Sequence, residues 1–276
     1  MWNYRRSVLS RIEKVLTLRA GDGDRATAAA VSFFLPEEAE EVQFTTKEIK
    51  SNFSNYSAWH QRGYTIQKAL ARHGLQLQPS HAEGAPSVAL PEAFATALYE
   101  LVVEDLFLFT QSIYCDPSDQ ASFCYATFSL NLFRTFEAAL RREYQQWQAR
   151  PVEAESAEID ALLRAHAGDI MDCFVAGVVD VVTEQVELGE GASCSLALLF
   201  LLELLLRLGR GGAGDAEARC QRYAHTIHTH LVTGQEPPPA SDRAAELRGT
   251  VAWLQQQLIA GDPLRRGMYE AITAGW

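Results

Sequence analysis

The sequence lacks a long uninterrupted apolar run. Its most apolar stretch, Leu196–Leu206, is eleven residues long and contains Glu203, whereas a helix that crosses a bilayer needs about 20 apolar residues. The first residues, M-W-N-Y-R-R, do not form the apolar core of a secretion signal. We therefore predict no membrane insertion, and we expect Leu196–Leu206 to form a helix that is buried on most sides.

Paired cysteines and an excess of basic residues are also lacking. The five cysteines are scattered, with no Cys-x-x-Cys pair, which is typical of reduced thiols in an intracellular protein. Lys and Arg total 24 against 35 Asp and Glu, so the formal net charge is −11. Proteins that bind nucleic acid need clustered Lys and Arg. We therefore predict a cytoplasmic protein that does not bind nucleic acid.

Motifs for nucleophilic catalysis and phosphate binding are absent from the sequence. There is no Gly-x-Ser-x-Gly motif, and Gly209–Gly214 lacks the Lys-Ser/Thr pair that ends a P-loop. His225, His228 and His230 form a candidate metal site, but at 100° per residue His230 lies roughly 200° around a helix from His228. We predict no catalytic residue and no metal ligand in this chain, and a metal-dependent enzyme that uses these histidines is the weakest hypothesis.

The most informative stretch is Asn52–Arg62, which reads N-F-S-N-Y-S-A-W-H-Q-R. Asn55 is a typical N-cap residue, because its side-chain oxygen can accept hydrogen bonds from the unpaired N–H groups of the first helical turn. Spacings of three and four residues place one set of side chains on a single side of the helix: Tyr56, Trp59, His60 and Gly63. The pattern predicts a helix that is anchored by a buried tryptophan.

Two roles are open for Arg62 and His60 beside that tryptophan. An arginine near a buried tryptophan most often caps a neighbouring backbone carbonyl, which favours a latch that ties one hairpin to the next. Alternatively, Asn55, Tyr56, His60 and Arg62 face a protein partner.

Weaker copies of the same pattern occur on both sides. In the earlier copy Trp2 aligns with Trp59, Tyr4 with Gln61 and Arg5 with Arg62; in the later copy Phe123 takes the tryptophan position. The tryptophan positions lie 57 and 64 residues apart, longer than the roughly 34 to 50 residues of helical-hairpin repeats. Insertions near residues 19–36 and 74–91 account for the excess. The core residues predicted for these repeats are Trp2, Tyr4, Arg5, Trp59 and Phe123.

Apolar periodicity and helix-stop residues predict an all-α fold, since no segment alternates for long enough to require a sheet. Residues 1–150 are interpreted as helical repeats, and residues 151–276 as a C-terminal helical region that continues the solenoid or forms a small subdomain. The predicted helices are Trp2–Leu18, Glu37–Lys50, Asn55–His73, Pro91–Tyr114, a single return helix Asp119–Trp147, a stripe from Ile159 to Phe174, Leu196–Leu206, Asp215–Val232 and a helix around Leu247–Leu258.

With its Asn-Tyr-x-x-Trp-x-x-Arg stretch and weaker repeats, the chain resembles the α subunits of protein prenyltransferases, above all those of Rab geranylgeranyltransferases. The resemblance implies a right-handed α–α superhelix that serves as scaffold for a β subunit. It also implies that zinc and geranylgeranyl diphosphate are held by that β subunit, and that the substrate is a Rab GTPase presented by an escort protein.

The sequence departs from this family in two respects. The family carries a lysine two residues before the tyrosine of an early repeat, and the matching position here is Ser54. Under the resemblance, the early repeats that hold that lysine are expected to be missing. The alternative hypothesis is therefore a non-catalytic helical-repeat scaffold derived from the same family.

Overall fold

The computed structural model describes residues 32–77, 90–148, 170–187, 194–209, 215–232 and 243–274, and this part of the chain contains helices and no strands. The prediction of an all-α fold built from helical hairpins is confirmed. In chain order the α-helices are α1 (Pro36–Ser51), α2 (Tyr56–Arg72), α3 (Glu92–Cys115), α4 (Gln120–Thr135), α5 (Glu137–Gln148), α6 (Ile170–Glu187), α7 (Ser195–Gly209), α8 (Asp215–Leu231), α9 (Arg243–Gly261) and α10 (Arg266–Thr273).

Helices α1 and α2 form the predicted hairpin. Pro36 opens α1, and the Glu38 carboxylate accepts a hydrogen bond from the Leu35 N–H at 3.0 Å. The Arg72 guanidinium at the end of α2 returns to Glu38, with 2.6 Å between Nη2 and Oε2. The chain leaves α2 through Gly74, whose φ of +69° lies in the left-handed region that favours glycine. Residues within a few positions of each end therefore determine where α1 begins and where α2 ends.

The single return helix predicted over Asp119–Trp147 is wrong. The structure divides it into α4 and α5 at Phe136, which has φ −116° and ψ 21° and is fully buried. The Thr135 hydroxyl donates to the Asn131 carbonyl at 2.8 Å, an interaction that often bends helices. Because the chain turns at Phe136, both α4 and α5 pack against α3.

The later helices join the same hydrophobic core. Helix α6 packs against α3, and α7 packs against α4, while α7, α8 and α9 contact one another. Helix α7 includes the predicted apolar stretch and buries most of its side chains. No helix within the described residues is long and apolar enough to cross a membrane.

Several predictions fall on residues outside the described ranges. They include the helix Trp2–Leu18, the two proposed insertions except at their edges, and the stripe beginning at Ile159, while α6 itself begins at Ile170. The division of the chain near residue 150 stays a prediction.

Candidate functional site

Trp59 is held inside the chain by the start of its own helix. The Asn55 side-chain oxygen accepts a hydrogen bond from the Ala58 N–H at 3.2 Å, which caps α2. The Trp59 indole is 1% exposed and donates through Nε1 to the Phe53 carbonyl at 2.7 Å. Its ring lies 4.9 Å from that of Tyr125 on α4. The tryptophan therefore fixes the turn before α2 and connects α2 to α4.

Arg62, one turn further along α2, is fully buried among side chains of other helices. Its Nε donates to Asp105 Oδ1, and its Nη2 to Glu104 Oε2, both at 2.7 Å. Its Nη1 donates to the Thr46 hydroxyl at 2.8 Å and to the Val42 carbonyl at 3.2 Å. The guanidinium thus joins α2 to α1 and α3, which is the arrangement of an interior latch and leaves no surface for a partner to contact.

The Asp105 carboxylate extends this network to α4. Its Oδ2 accepts hydrogen bonds from the Tyr125 hydroxyl at 2.8 Å and from the Ser129 hydroxyl at 3.3 Å. Asp105 and Arg62 have side chains that are 1% and 0% exposed. A buried carboxylate is tolerated here because its hydrogen-bond partners are one guanidinium cation and two hydroxyl donors.

The buried groups of this network shift one another's pKa values. Burial by itself disfavours the Arg62 cation, but Asp105, with Tyr125 and Glu104, outweighs burial and raises the pKa of Arg62 above its usual value. Burial and the neighbouring Asp105 carboxylate also raise the pKa of Tyr125 well above its usual value. Arg62 therefore stays charged and Tyr125 stays a hydroxyl donor at neutral pH.

An open groove lies on the outer side of Trp59, between α2 and α4. This aromatic groove has a volume of about 300 Å³ and is lined by Tyr56, Trp59, His60, Gly63, Tyr64, Gln67, Ala121, Cys124, Tyr125 and Phe128. Gly63 lies at the bottom of the groove. A Cβ atom at this position would be in ordinary van der Waals contact with α4, 3.6 Å from the Tyr125 ring and 3.7 Å from Phe128.

The rim of the aromatic groove is exposed. Tyr56 is 56% and Tyr64 49% exposed, His60 is also exposed, and the Tyr56 and His60 rings lie 6.2 Å apart. Exposed rings with polar tips are typical of protein-binding surfaces. Of the four residues predicted to act together, the structure brings Tyr56 and His60 to this rim, places Asn55 at the cap and buries Arg62.

The other predicted residues lie elsewhere. Phe123 is 6% exposed, and its ring lies 5.6 Å from Phe109 and 6.2 Å from Phe200. Trp2, Tyr4 and Arg5 are outside the described residues.

The three histidines of α8 do not converge. His225 Nδ1 lies 2.8 Å from Glu246 Oε1 on α9, His228 is buried, and His230 is exposed. In the ranges that the structure describes, no group of three His, Cys, Asp or Glu side chains could hold a metal ion.

Sequence reasoning missed the residues that complete the Arg62 network. Glu104 and Asp105 interrupt an otherwise apolar stretch of α3, L-V-V-E-D-L-F-L-F, and a carboxylate on a buried face requires a cationic or donor partner. That interruption was the available signal. It does not by itself identify Arg62, which lies 43 residues before Asp105.

Comparison with known proteins identifies the hairpin. Residues 38–69, within α1 and α2, match the family model for the protein prenyltransferase alpha subunit repeat. No solved structure matches the chain.

Curated relatives carry the name geranylgeranyl transferase type-2 subunit alpha. The human protein is 32% identical over 124 residues, which is 45% of this chain and 15% of the human one. The cattle protein is 34% identical over 87 residues, covering 32% of this chain and 12% of its own length. The Schizosaccharomyces pombe protein is 30% identical over 124 residues, covering 45% and 27% respectively. The chain therefore matches less than a third of the length of these relatives.

Proposed function

We propose that this chain, which carries an α-subunit repeat of the protein prenyltransferase family, is an α-subunit-like component of a protein geranylgeranyltransferase. The observation that carries the proposal is the structure formed by the matched repeat. Its Asn-Tyr-x-x-Trp-x-x-Arg stretch buries Trp59 and Arg62 in a network that joins four helices, and it leaves Tyr56 and His60 exposed on one rim. A rigid hairpin with an aromatic rim is suited to be a scaffold for a second subunit.

The proposed partner is a prenyltransferase β subunit, which binds the aromatic groove and supplies zinc and geranylgeranyl diphosphate. The assignment of zinc to the partner follows from the resemblance to prenyltransferase α subunits. The proposed substrate is the C-terminal cysteine of a Rab GTPase presented by an escort protein. In this arrangement the chain positions the partner and carries out no bond-breaking step itself.

A second candidate function, a non-catalytic scaffold that binds another protein, is favoured by Ser54. This residue is exposed, and its N–H donates to Asn52 Oδ1 at 3.1 Å. The family resemblance implies a lysine at this position, whose cation would contact a lipid diphosphate. A serine hydroxyl carries no charge to offer that anion.

The deciding experiment is co-expression of the chain with the β subunit from the same organism, followed by size-exclusion chromatography with mass determination. The α-subunit proposal predicts a stable complex with one copy of each chain. Prenyl transfer to a Rab GTPase would then be assayed with that complex. A folded, helical protein that elutes alone would exclude the proposed subunit and leave the scaffold.

Variants at the rim test whether the aromatic groove is the contact surface. Tyr56→Ala combined with His60→Ala should weaken the complex at least ten-fold, because exposed aromatic residues often carry much of an interface's affinity. Tyr114→Ala is the matched control, since Tyr114 is 47% exposed but does not line the groove. If the control weakened the complex equally, or if the rim variant did not weaken it, the contact surface would not be the aromatic groove.

A further inference from the structure

Tyr125 on α4 belongs both to the aromatic groove and to the buried charge network. Its ring lines the groove, with ring centres 4.9 Å from Trp59 and 5.5 Å from Phe128. Its hydroxyl donates to Asp105 Oδ2 at 2.8 Å. Asp105 itself is 1% exposed and does not line the groove. Tyr125 therefore connects the interior carboxylate to the groove wall.

The hydrogen bond between Tyr125 and Asp105 is of a strong type. A separation of 2.8 Å is typical of O–H···O bonds, and bonds to an ionised acceptor are roughly twice as strong as neutral ones. Tyr125 is 5% and Asp105 1% exposed, and a hydrogen bond in such an interior is stronger than the same bond in water. Burial and Asp105 raise the pKa of Tyr125, which keeps the phenol a donor at neutral pH. The far end of the Tyr125 ring is therefore fixed to α3.

The need of Asp105 for a donor does not explain why the Tyr125 ring lies in the groove. Ser129, one turn later on α4, also donates to Asp105 Oδ2, at 3.3 Å. A short hydroxyl side chain on α4 therefore reaches the carboxylate without contributing to the groove, since Ser129 does not line it. Tyr125 provides the same kind of donor from the end of a ring that forms the groove wall.

A ring that is held at both ends keeps the groove in one shape. The Cβ atom of Tyr125 is carried by α4 and its hydroxyl is bound to α3, so the long axis of the ring has a fixed direction. Helix α2 approaches the same ring at Gly63, where an added Cβ atom would lie 3.6 Å from Tyr125 Cε2. Trp59 packs against the ring and is 1% exposed. Without the bond to Asp105, packing alone would hold this wall.

We propose that Asp105 is a positioning residue for the aromatic groove, because it fixes the Tyr125 ring in the orientation to which a partner protein binds. This inference rests on the proposed function, in which the groove binds the β subunit. A surface that is already fixed before association loses less conformational entropy on binding, and this difference appears as affinity. Asp105 thereby raises the affinity without contacting the partner.

Binding of the full chain to the β subunit from the same organism, measured by surface plasmon resonance, tests the proposal. Tyr125→Phe keeps the ring and removes the hydroxyl, and we expect at least a five-fold loss of affinity. Thr46→Val is the matched control, because it removes a hydroxyl that also forms a 2.8 Å bond in the network, to Arg62, but does not line the groove. Its affinity should stay within two-fold of the wild type. Unchanged affinity in Tyr125→Phe, or equal weakening in Thr46→Val, would overturn this inference and leave the proposed function standing.

A measurement without the partner shows whether Asp105 holds the ring. In the full chain labelled with 5-fluorotryptophan, the fluorine signal of Trp59 is identified by its loss in Trp59→Phe, and its shift between H₂O and D₂O reports contact with solvent. We expect no shift in the wild type or in Thr46→Val, and a measurable shift in Tyr125→Phe, because a ring that swings away uncovers the indole. No shift in Tyr125→Phe would mean that packing alone holds the ring. If the wild type does not bind the β subunit, the proposed function fails, and this measurement still decides whether Asp105 holds the ring.

A second variant gives the same decision if Tyr125→Phe fails to fold. Arg62→Met combined with Asp105→Leu removes the acceptor and leaves Tyr125 in place, while an apolar pair replaces the buried charges. We expect its affinity for the β subunit to fall at least five-fold. An affinity equal to that of the wild type would show that the groove wall does not depend on Asp105.

Discussion

Arg62 on α2 and Asp105 on α3 form an ion pair in the interior, with 2.7 Å between Nε and Oδ1 and side chains that are 0% and 1% exposed. The pair joins positions 43 residues apart. The Thr46 hydroxyl on α1 accepts a hydrogen bond from Arg62, and the Tyr125 hydroxyl on α4 donates one to Asp105. Removing Arg62 leaves the buried Asp105 carboxylate without a cation, whereas removing Asp105 leaves Arg62 paired with Glu104 alone. This pair therefore determines whether α1, α2, α3 and α4 stay together.

Replacing Arg62 by methionine should destabilise the chain by about 3–5 kcal/mol, because Asp105 then stays buried without a cation. Urea denaturation followed by circular dichroism measures this loss. The double variant Arg62→Met with Asp105→Leu should recover part of it, since a hydrophobic pair replaces the charges. Arg222→Met, at a surface pair, should change stability by only about 0–1 kcal/mol. A loss below that of the surface control would contradict the latch.

The cost of Arg62→Met should depend on pH. Burial raises the pKa of Asp105 and Arg62 opposes that shift, so the pKa of Asp105 rises further in the variant. A carboxyl whose pKa is higher in the folded state stabilises that state as pH falls. The difference in unfolding free energy between variant and wild type should therefore be smaller at pH 5 than at pH 7. Equal differences at both pH values would mean that Asp105 is ionised to the same extent in the folded variant and in the folded wild type, which would contradict the expected further rise of its pKa.

Trp59→Ala should cost about 3–5 kcal/mol, because it removes a buried indole from the contact with Tyr125. Trp59→Phe keeps a ring but loses the hydrogen bond to the Phe53 carbonyl, worth about 0.5–1.5 kcal/mol. Thermal unfolding ranks the two variants. If Trp59→Phe were as costly as Trp59→Ala, the hydrogen bond would outweigh the packing.

The same substitution should have opposite effects at two glycines. Gly63→Ala places a methyl group at ordinary contact distance, 3.6 Å from Tyr125, and should stabilise α2 by about 0.5–1 kcal/mol. Gly74→Ala must adopt a φ of +69° and should destabilise the hairpin by about 1–2 kcal/mol. Urea unfolding of both variants checks the signs. Stabilisation at Gly74 would show that the turn rearranges.

Alkylation should distinguish the cysteines. Burial, with a contribution from Glu217, raises the pKa of Cys220 to about 12, so at pH 8 only about one molecule in 10⁴ carries its reactive thiolate. Cys115 and Cys124 are exposed. Iodoacetamide treatment followed by peptide mass mapping should label both exposed thiols and spare Cys220, with equal labelling in urea. Rapid labelling of Cys220 in native protein would contradict its burial.

The helices of the first hairpin could be predicted because their signals are local. Pro36 opens α1, Asn55 caps α2, and Gly74 ends the hairpin, each through bonds or backbone angles within a few residues. The break at Phe136 could not be predicted, because neither proline nor glycine marks it. It is stabilised by the packing of both halves against α3.

The candidate site, like the fold, could be predicted from the sequence only in part. Asn-Tyr-x-x-Trp-x-x-Arg predicted a helix with a buried tryptophan and left two roles open for Arg62. The partners of Arg62 come from α1 and α3, and sequence spacing carries no information about which helices pack together.

By itself, the sequence determined the helical content, the first hairpin and the resemblance to prenyltransferase α subunits. Helix periodicity, caps and repeat motifs depend only on residues that are close together in the sequence. Only the tertiary structure decided that Arg62 is an interior latch and that Tyr56 and His60 share a groove. Burial and charge compensation depend on which surfaces come together, and that is a property of the packed helices.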